Sequence, residues 1–242
     1  MSKHPIIIAM IPARMGSNRL KMKNLALINK KPMISYAIEA AKASGVFNQI
    51  SINSESDKFE NISKEYDINF YRRSVELSSS TTKSDDVIYD FMKNTSGDIT
   101  VWVNSTSPLQ TGEEIKDITH YFIKNHLDTL ITIRNEQVHC VFDGKPLNFN
   151  VEEEFAQTQD LKTVGRFVYS IMMWKNEIFM KKYEEKGHAL FCGKVGYYPV
   201  SKETSLIVKF EEDLSLIEAI IQGRKKMQEN NWKLDYSDNA NN

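Results

Sequence analysis

Residues 6–25 read IIIAMIPARMGSNRLKMKNL, and this stretch joins an apolar run to a basic loop. The run Ile6–Ile11 is typical of a β-strand that is covered on both faces. The loop after it carries four cationic side chains: Arg14, Arg19, Lys21 and Lys23. In an open parallel sheet, ligands bind beyond the carboxyl ends of the strands. The stretch therefore predicts a parallel sheet with a ligand site at the end of its first strand.

An anion is the ligand that this loop favours. Gly16 permits a tight turn in which backbone N–H groups converge, and Arg and Lys side chains neutralise phosphate charge. The polyphosphate of a nucleotide is the natural candidate. The loop is neither a Walker A sequence nor a GxGxxG sequence. A solvated basic loop is the alternative that the residues alone leave open.

Further along the chain, short apolar runs alternate with segments of helical periodicity, which is typical of an α/β fold. We expect a Rossmann-like, mostly parallel sheet flanked by helices, in one domain over residues 1–242. Residues 135–165 break the pattern and predict a small β-rich flap or an oligomerisation arm. The strands are predicted at Ile6–Ile11, Ile50–Asn53, Asn69–Tyr71, Ile99–Asn104, Leu130–Arg134, Phe167–Trp174, Val195–Val200 and Leu206–Phe210. The helices are predicted around residues 33–41, at Lys58–Tyr66, Asp85–Lys93 and Gly112–Lys124, and around residues 214–221.

Composition and charge exclude several classes of protein. Of 242 residues, 41% are hydrophobic and 26% are charged, which is ordinary globular composition. The net charge of -1 argues against a nucleic-acid binder or an anionic-membrane binder. Cys140 and Cys192 have no metal-ligand spacing, and no apolar run approaches the length of a membrane span. We expect a reduced, cytoplasmic chain.

Four segments carry a family resemblance in the family's order. They are the loop at residues 11–25, the segment from Arg73 through SSSTTKSDDV (residues 78–87), VNSTSPLQTGEEI (residues 103–115) and Phe210–Ala219. Together they resemble the cytidylyltransferase family of CMP-sugar-acid synthetases, and most closely its acylneuraminate type. The resemblance spans nearly the whole chain.

The resemblance implies that CTP and an acidic 2-keto sugar of the nonulosonic type react to give a CMP-sugar and pyrophosphate, usually with Mg²⁺. It also implies a homodimer formed through the flap. It places a nucleotide site at Ala13, Arg14, Gly16, Ser17, Asn18, Lys23, Asn24, Arg73, Thr82, Ser84 and Thr106. Acceptor contacts are expected from Asn104, Gln159 and Tyr169, and catalytic roles from Arg14, Lys23 and Lys209. Trp102 and Trp174 lie in apolar runs and are expected in the core.

Several positions depart from the family. Met22, Lys30 and Tyr169 stand where the family usually has glycine, and Asn18 stands where it has lysine. Glu55 stands where it has aspartate after the second strand.

The magnesium-holding Asp-x-Asp appears as Ile207 and Lys209, so no metal site is predicted. Lys209 is expected to balance phosphate charge instead. The acids Glu211, Glu212 and Asp213 favour a helix start over replacement ligands. Two alternatives follow: a nucleotide-binding homologue without transferase activity, and a nucleotidyltransferase with altered acceptor and metal use.

Overall fold

The computed structural model describes residues 4–16 and 20–229. The strands are β1 (Ile7–Pro12), β2 (Leu27–Ile28), β3 (Lys31–Pro32), β4 (Gln49–Ser54), β5 (Asn69–Arg72), β6 (Ile99–Val103), β7 (Thr129–Glu136), β8 (Val141–Phe142), β9 (Lys145–Pro146), β10 (Val164–Lys175) and β11 (Val195–Pro199). The helices are α1 (Met33–Ser44), α2 (Asp57–Glu65), α3 (Ser84–Lys93), α4 (Gly112–Lys124), α5 (Asn176–Lys186) and α6 (Glu211–Glu229).

The central sheet has seven strands in the order β11-β7-β10-β6-β1-β4-β5. All of its pairs are parallel except the two made by β10, which runs antiparallel to β6 and β7. The prediction of a mostly parallel α/β sheet is therefore confirmed. From β1 the chain builds outward to β4 and β5, and then returns to place β6 on the other side of β1. Such a reversal of strand order creates a crevice between the carboxyl ends of β1 and β6.

Helices cover both faces of the sheet. Alternate residues of β1 face opposite layers, as the two-residue period of a strand requires. Ala9 and Ile11 pack in one core cluster with residues of α1, α2 and α4, while Ile8 and Met10 pack with residues of α3 and α5. A third cluster joins α6 to the β2–β3 hairpin. None of the helices in the described part of the chain is both long and apolar enough to cross a membrane.

One local prediction was wrong, and one helix was missed. Leu206–Phe210 forms no strand; instead, the backbone N–H of Val208 donates to the Thr106 carbonyl at 2.9 Å, and Val208 is buried. Helix α5 was not predicted, because β10 passes into it without a glycine or proline between them.

The flap contains the short β8–β9 hairpin, which turns at Asp143 and Gly144, both with positive φ. This agrees with the expected turns and short strands, whereas the single domain and the dimerising role stay predictions.

Strand β10 carries a wide bulge opposite β7. Phe167 pairs with Ile133, but the next pair joins Met172 to Ile131, so β10 has three extra residues. The hydroxyl of Thr132 lies 3.1 Å from the backbone nitrogen of Ile171 and 3.0 Å from its carbonyl oxygen. The bulge brings Tyr169 to the carboxyl edge of the parallel strands.

Candidate active site

A polar cavity of about 440 Å³ lies at the carboxyl ends of β1 and β6, in the crevice that the strand order creates. We call it the loop cavity. It is lined by Pro12, Ala13, Arg14, Gly16, Lys23, Asn24, Arg73, Leu77, Ser79, Ser80, Thr82, Ser84, Val87, Trp102, Asn104, Ser105 and Thr106. The lining includes every described residue of the predicted nucleotide site. Ser17 and Asn18 lie outside the described residues.

A buried ion pair fixes the first turn of the basic loop. Arg73, 4% exposed, lies 3.2 Å from a carboxylate oxygen of Glu55 and donates to the Ala13 carbonyl at 2.9 Å. The other oxygen of Glu55 accepts the backbone N–H of Met15 at 2.8 Å. The pair therefore ties the loop to the ends of β4 and β5. Sequence reasoning missed this role of Glu55, although its place after the second strand was the available signal.

The ion pair also shifts the ionisation of both partners. Burial acts to raise the pKa of Glu55, but the Met15 N–H, neighbouring hydrogen bonds and the Arg73 charge outweigh burial, so the pKa is lowered. Burial lowers the pKa of Arg73, and Glu55 opposes that shift. An arginine remains protonated even so, because its ordinary pKa lies above 12. The loop cavity therefore holds a fixed positive charge beside an ionised carboxylate.

Hydrogen bonds join the remaining walls of the loop cavity. The Ser105 hydroxyl lies 3.0 Å from the Pro12 carbonyl and 3.1 Å from the Asn24 side-chain oxygen. Arg14 donates to the Ser79 carbonyl at 2.5 Å, which connects the basic loop to the segment before α3. Lys23 lies 3.4 Å from the Val208 carbonyl. The cationic side chains are thus held at the cavity wall.

Gly16 is required neither by its own conformation nor by its neighbours. Its φ is not in the left-handed region, and an added Cβ would meet nothing within 4 Å among the described residues. Any need for glycine must therefore come from a ligand that approaches the backbone closely.

We expect Gly16→Ala to leave the stability of the chain unchanged or to raise the free energy of unfolding by up to about 1 kcal/mol. The melting temperature should be unchanged or slightly higher. We expect the same change to weaken CTP binding about tenfold, which calorimetric titration checks; unchanged affinity would place the phosphates elsewhere.

The expectation that Trp102 lies in the core was wrong. Trp174 is fully buried as predicted, but Trp102 is only partly buried and lines the loop cavity. Its indole N–H is buried and has no hydrogen-bond partner within the described residues. Trp102 and Val87 give the cavity an apolar wall beside its polar residues. The apolar run around Trp102 concealed this exposure, because a strand residue at the end of a sheet can face both the core and a crevice.

A second cavity, of about 430 Å³, adjoins the first at Asn104. We call it the bulge cavity. It is lined by Asn104, Arg166, Phe167, Val168, Tyr169, Ser205, Leu206, Ile207, Lys209, Phe210, Asp213, Leu216 and Ile217. Asn104 donates to the Tyr169 carbonyl at 3.1 Å and accepts from the Thr106 backbone N–H at 3.0 Å. Its side chain thus connects the two cavities.

The predicted acceptor and catalytic residues divide between the cavities. Asn104, Tyr169 and Lys209 line the bulge cavity, whereas Arg14 and Lys23 line the loop cavity. Gln159 lines neither: it lies in a short 3₁₀ turn of the flap, where its side chain donates to Gln157. The prediction for Gln159 has no support from the single chain.

Three residues take left-handed backbone conformations at positions where the family resemblance led us to expect glycine. Met22 has φ 46°, Lys30 has φ 64° and Tyr169 has φ 59°. Such φ values cost an ordinary residue about 1–2 kcal/mol. At these three positions the chain thus holds, without glycine, a backbone conformation that glycine adopts most readily.

Lys30 offers a clean test of that strain. It is exposed and follows Asn29, also of positive φ, in the two-residue turn between β2 and β3. Because Asn-Gly is the preferred pair for such a turn, we expect Lys30→Gly to stabilise the chain by about 1 kcal/mol. That corresponds to about 2–4 °C in melting temperature. The neighbouring Lys31→Gly is the control and should destabilise, since Lys31 lies in β3 and pairs with Glu39 at 2.5 Å; equal effects would contradict the argument.

The residues do not fit a magnesium ion held by the protein. Mg²⁺ prefers oxygen ligands, and Ile207 and Lys209 supply none. Of the described residues that line the two cavities, Asp213 alone carries a carboxylate, and it accepts the backbone N–H groups of Lys209 at 2.7 Å and Phe210 at 2.8 Å. Asp213 thus caps α6, as the sequence favoured. Across the described residues, no group of three or more His, Cys, Asp or Glu could hold a metal ion.

The family model for cytidylyltransferases matches residues 8–236, nearly the whole chain. A nucleotide-sized polar cavity at the switch point of a mostly parallel sheet is what that class of fold provides. The chain belongs to the cytidylyltransferase family.

Individual relatives are consistent with this assignment. The chain is 27% identical over 215 residues to an N-acylneuraminate cytidylyltransferase of Streptococcus agalactiae, covering 85% of this chain and 51% of that protein. The chain thus spans about half the length of that relative. It is 26% identical over 234 residues to the post-translational flagellin modification protein B of Campylobacter coli, covering 89% of this chain and 95% of that one.

A solved structure shares the fold. CMP:2-keto-3-deoxy-manno-octonic acid synthetase, determined in complex with CTP, superposes with a TM-score of 0.68 at 14% identity. The match covers 90% of this chain and 99% of the other. At this identity the likeness establishes the Rossmann-like architecture.

Proposed function

We propose that this chain transfers the cytidylyl group of CTP to an acidic 2-keto sugar of the nonulosonic type. The anomeric hydroxyl oxygen attacks the α-phosphorus, the bond to pyrophosphate breaks, and the hydroxyl proton passes to solvent. A CMP-sugar and pyrophosphate result. One observation carries the proposal: the loop cavity and the bulge cavity meet at Asn104, so a nucleotide and a second substrate can lie side by side.

The loop cavity has the chemistry that CTP requires. Arg14 and Lys23 supply positive charge for the phosphates, and Asn24 supplies an amide for the ribose. Arg73, Thr82 and Ser84 are assigned to the cytidine. Phosphoryl-type transfer depends mainly on positioning and charge stabilisation. The fixed walls around Ala13 and Ser105 provide positioning, and the cationic side chains provide the charge.

Lys209 supplies a further cation where the bulge cavity adjoins this site. Its side chain is exposed and lines the bulge cavity, while its neighbour Val208 contacts Thr106 of the loop cavity. A cation there balances charge on the pyrophosphate as it leaves. In this proposal, the Lys209 ammonium balances negative charge that a metal ion held by the protein would otherwise balance.

We also propose that the active form is a cytoplasmic homodimer joined through the flap. Six large apolar side chains of the flap are exposed: Val138, Val141, Phe142, Leu147, Val151 and Phe155. Exposed apolar patches of this kind are typical of interaction surfaces. Both cysteines are free thiols, which suits a reducing compartment.

The test is pyrophosphate release from CTP in the presence of N-acetylneuraminic acid or related nonulosonic acids, with the CMP-sugar identified by mass. UTP in place of CTP is the control. We expect release that needs both CTP and an acid.

The second candidate function, a nucleotide-binding homologue without transferase activity, rests on Ile207 and Lys209 in place of metal ligands. CTP binding without pyrophosphate release from any acid would favour that candidate.

A further inference from the structure

The hydroxyl of Ser105 connects two walls of the loop cavity. Ser105 follows β6 and is 2% exposed, and its hydroxyl oxygen lies 3.0 Å from the Pro12 carbonyl at the end of β1. The same hydroxyl oxygen lies 3.1 Å from the side-chain oxygen of Asn24. Ser105 thus joins three segments that are far apart in the sequence and meet at the carboxyl edge of the sheet.

The backbone of Asn24 is held by its own neighbours. Asn24 lies in the short 3₁₀ turn Lys23–Leu25, which begins after the left-handed Met22. The backbone N–H of Leu25 donates to the Met22 carbonyl at 2.8 Å. Such bonds fix the main chain but leave the side-chain torsions of Asn24 free. A contact to the side chain itself must therefore set the direction of its amide.

The Asn24 amide is bonded at its oxygen and open at its nitrogen. Ser105 is the partner of the oxygen, whereas the nitrogen has no hydrogen-bond partner among the described residues. Asn24 lines the loop cavity although it is only 7% exposed. An amide nitrogen carries two N–H donors. A ligand in the cavity can therefore accept a hydrogen bond from Asn24, and the direction of that bond depends on Ser105.

We propose that Ser105 is a positioning residue, which holds the Asn24 amide so that its nitrogen donates to a ribose hydroxyl of the nucleotide. This inference rests on the proposed function, in which Asn24 bonds to the ribose. Without the Ser105 hydroxyl, the Asn24 oxygen loses its partner and the amide is free to turn. The bond to the ribose then weakens, while the contacts of the phosphates and the base remain.

The closing experiment compares CTP with 2′-deoxy-CTP and 3′-deoxy-CTP in calorimetric titrations without any acceptor. Each analogue lacks one ribose hydroxyl. We expect the unaltered protein to bind CTP about tenfold more tightly than one of the two analogues, because the missing hydroxyl leaves the Asn24 donor unpaired in a buried site. In Ser105→Ala that ratio of affinities should fall to about threefold or less.

Ser107→Ala is the matched control for Ser105→Ala. Ser107 is 1% exposed and lines neither cavity, and its buried hydroxyl has no hydrogen-bond partner within the described part of the chain. Removal of that hydroxyl should leave the ratio at about tenfold. A merely structural change would weaken the binding of CTP and of both analogues equally, so it would not move the ratio either.

A second variant tests whether Ser105 acts through Asn24. Asn24→Ala should lower the ratio of affinities to about the value in Ser105→Ala, because it removes the donor itself. The double variant should lower the ratio no further, since the two residues act through one contact. A further fall in the double variant would overturn the positioning role of Ser105.

The outcomes separate this inference from the proposed function. CTP bound with the same ratio by the unaltered protein and by Ser105→Ala would overturn the inference and leave the transferase standing. Equal affinity of the unaltered protein for CTP and both analogues would do the same. A ratio that falls in Ser105→Ala and not in Ser107→Ala supports the inference, whether or not any acid gives pyrophosphate release. A failure to bind CTP would overturn both proposals.

Discussion

Arg73→Met is expected to destabilise the chain by about 3–5 kcal/mol and to weaken CTP binding on the order of a hundredfold. The change removes one partner of a buried pair and leaves the Glu55 carboxylate, 14% exposed, without its counter-charge. It also removes the donor that holds the Ala13 carbonyl. The loss of stability corresponds to about 6–20 °C in melting temperature.

The neighbouring arginine is the control for this variant. Arg72 is 49% exposed and pairs with Asp57 at 2.7 Å and with Glu60. Exposed pairs contribute little, so Arg72→Met should cost less than about 1 kcal/mol and leave CTP affinity unchanged. The double variant Glu55→Gln with Arg73→Met should cost clearly less than the sum of the single changes, because the two groups are coupled. Equal effects of the two arginine variants would refute the role of the pair.

The Glu55–Arg73 pair should make the stability of the fold depend on pH. Because the folded-state pKa of Glu55 is lowered, its contribution to stability is present above the ordinary carboxyl pKa of about 4.3 and is lost as the pH falls through the lowered value. In Arg73→Met the pKa of Glu55 is higher, so a smaller part of the free energy of unfolding is lost as the pH falls. Urea unfolding of both proteins between about pH 3 and pH 6 measures the difference.

Lys209→Ala is expected to lower kcat about a hundredfold with little change in CTP affinity. The fold-change is that of removing one charge-stabilising donor from a reacting centre. Affinity should hold because Lys209 lines the bulge cavity and not the loop cavity. The variant should also need more Mg²⁺ for half of its maximal rate, since the cation of the chain is gone. Steady-state rates over a range of Mg²⁺ concentrations measure both effects.

Two further variants test Lys209. Lys209→Arg keeps the charge and should recover much of the rate, whereas Lys202→Ala changes an exposed lysine that lines neither cavity and should have no effect. A Lys209→Ala protein with an unchanged Mg²⁺ requirement and an unchanged rate would remove Lys209 from the catalytic residues.

The sequence predicts the parts of the site that follow directly from a strand. Ile6–Ile11 and the basic loop after it placed Arg14, Gly16 and Lys23 at the carboxyl edge of the sheet, because a buried strand must be followed by a loop at that edge. The parts that depend on distant contacts were less accessible. Leu206–Phe210 is apolar enough for a strand, but its backbone bonds to Thr106 and it joins no sheet.

The non-glycine residues of positive φ show a different limit of sequence-based prediction. Met22, Lys30 and Tyr169 give no local signal of a left-handed backbone, since none of them prefers it. The surrounding structure imposes these conformations: the β2–β3 turn constrains Lys30, and the β10 bulge constrains Tyr169. Likewise, the ion pair of Glu55 with Arg73 joins residues from different loops, so no spacing in the sequence reveals it.

The central claim is that the loop cavity binds CTP, and thermal unfolding with CTP, UTP, ATP and GTP, each with and without Mg²⁺, tests it without any acceptor. At about 100 times its dissociation constant, a ligand stabilises the fold by roughly 2.7 kcal/mol. For a chain of this length that is a shift of about 5–10 °C. We expect such a shift with CTP alone among the four nucleotides. Equal shifts with all four, or no shift with any, would contradict the account.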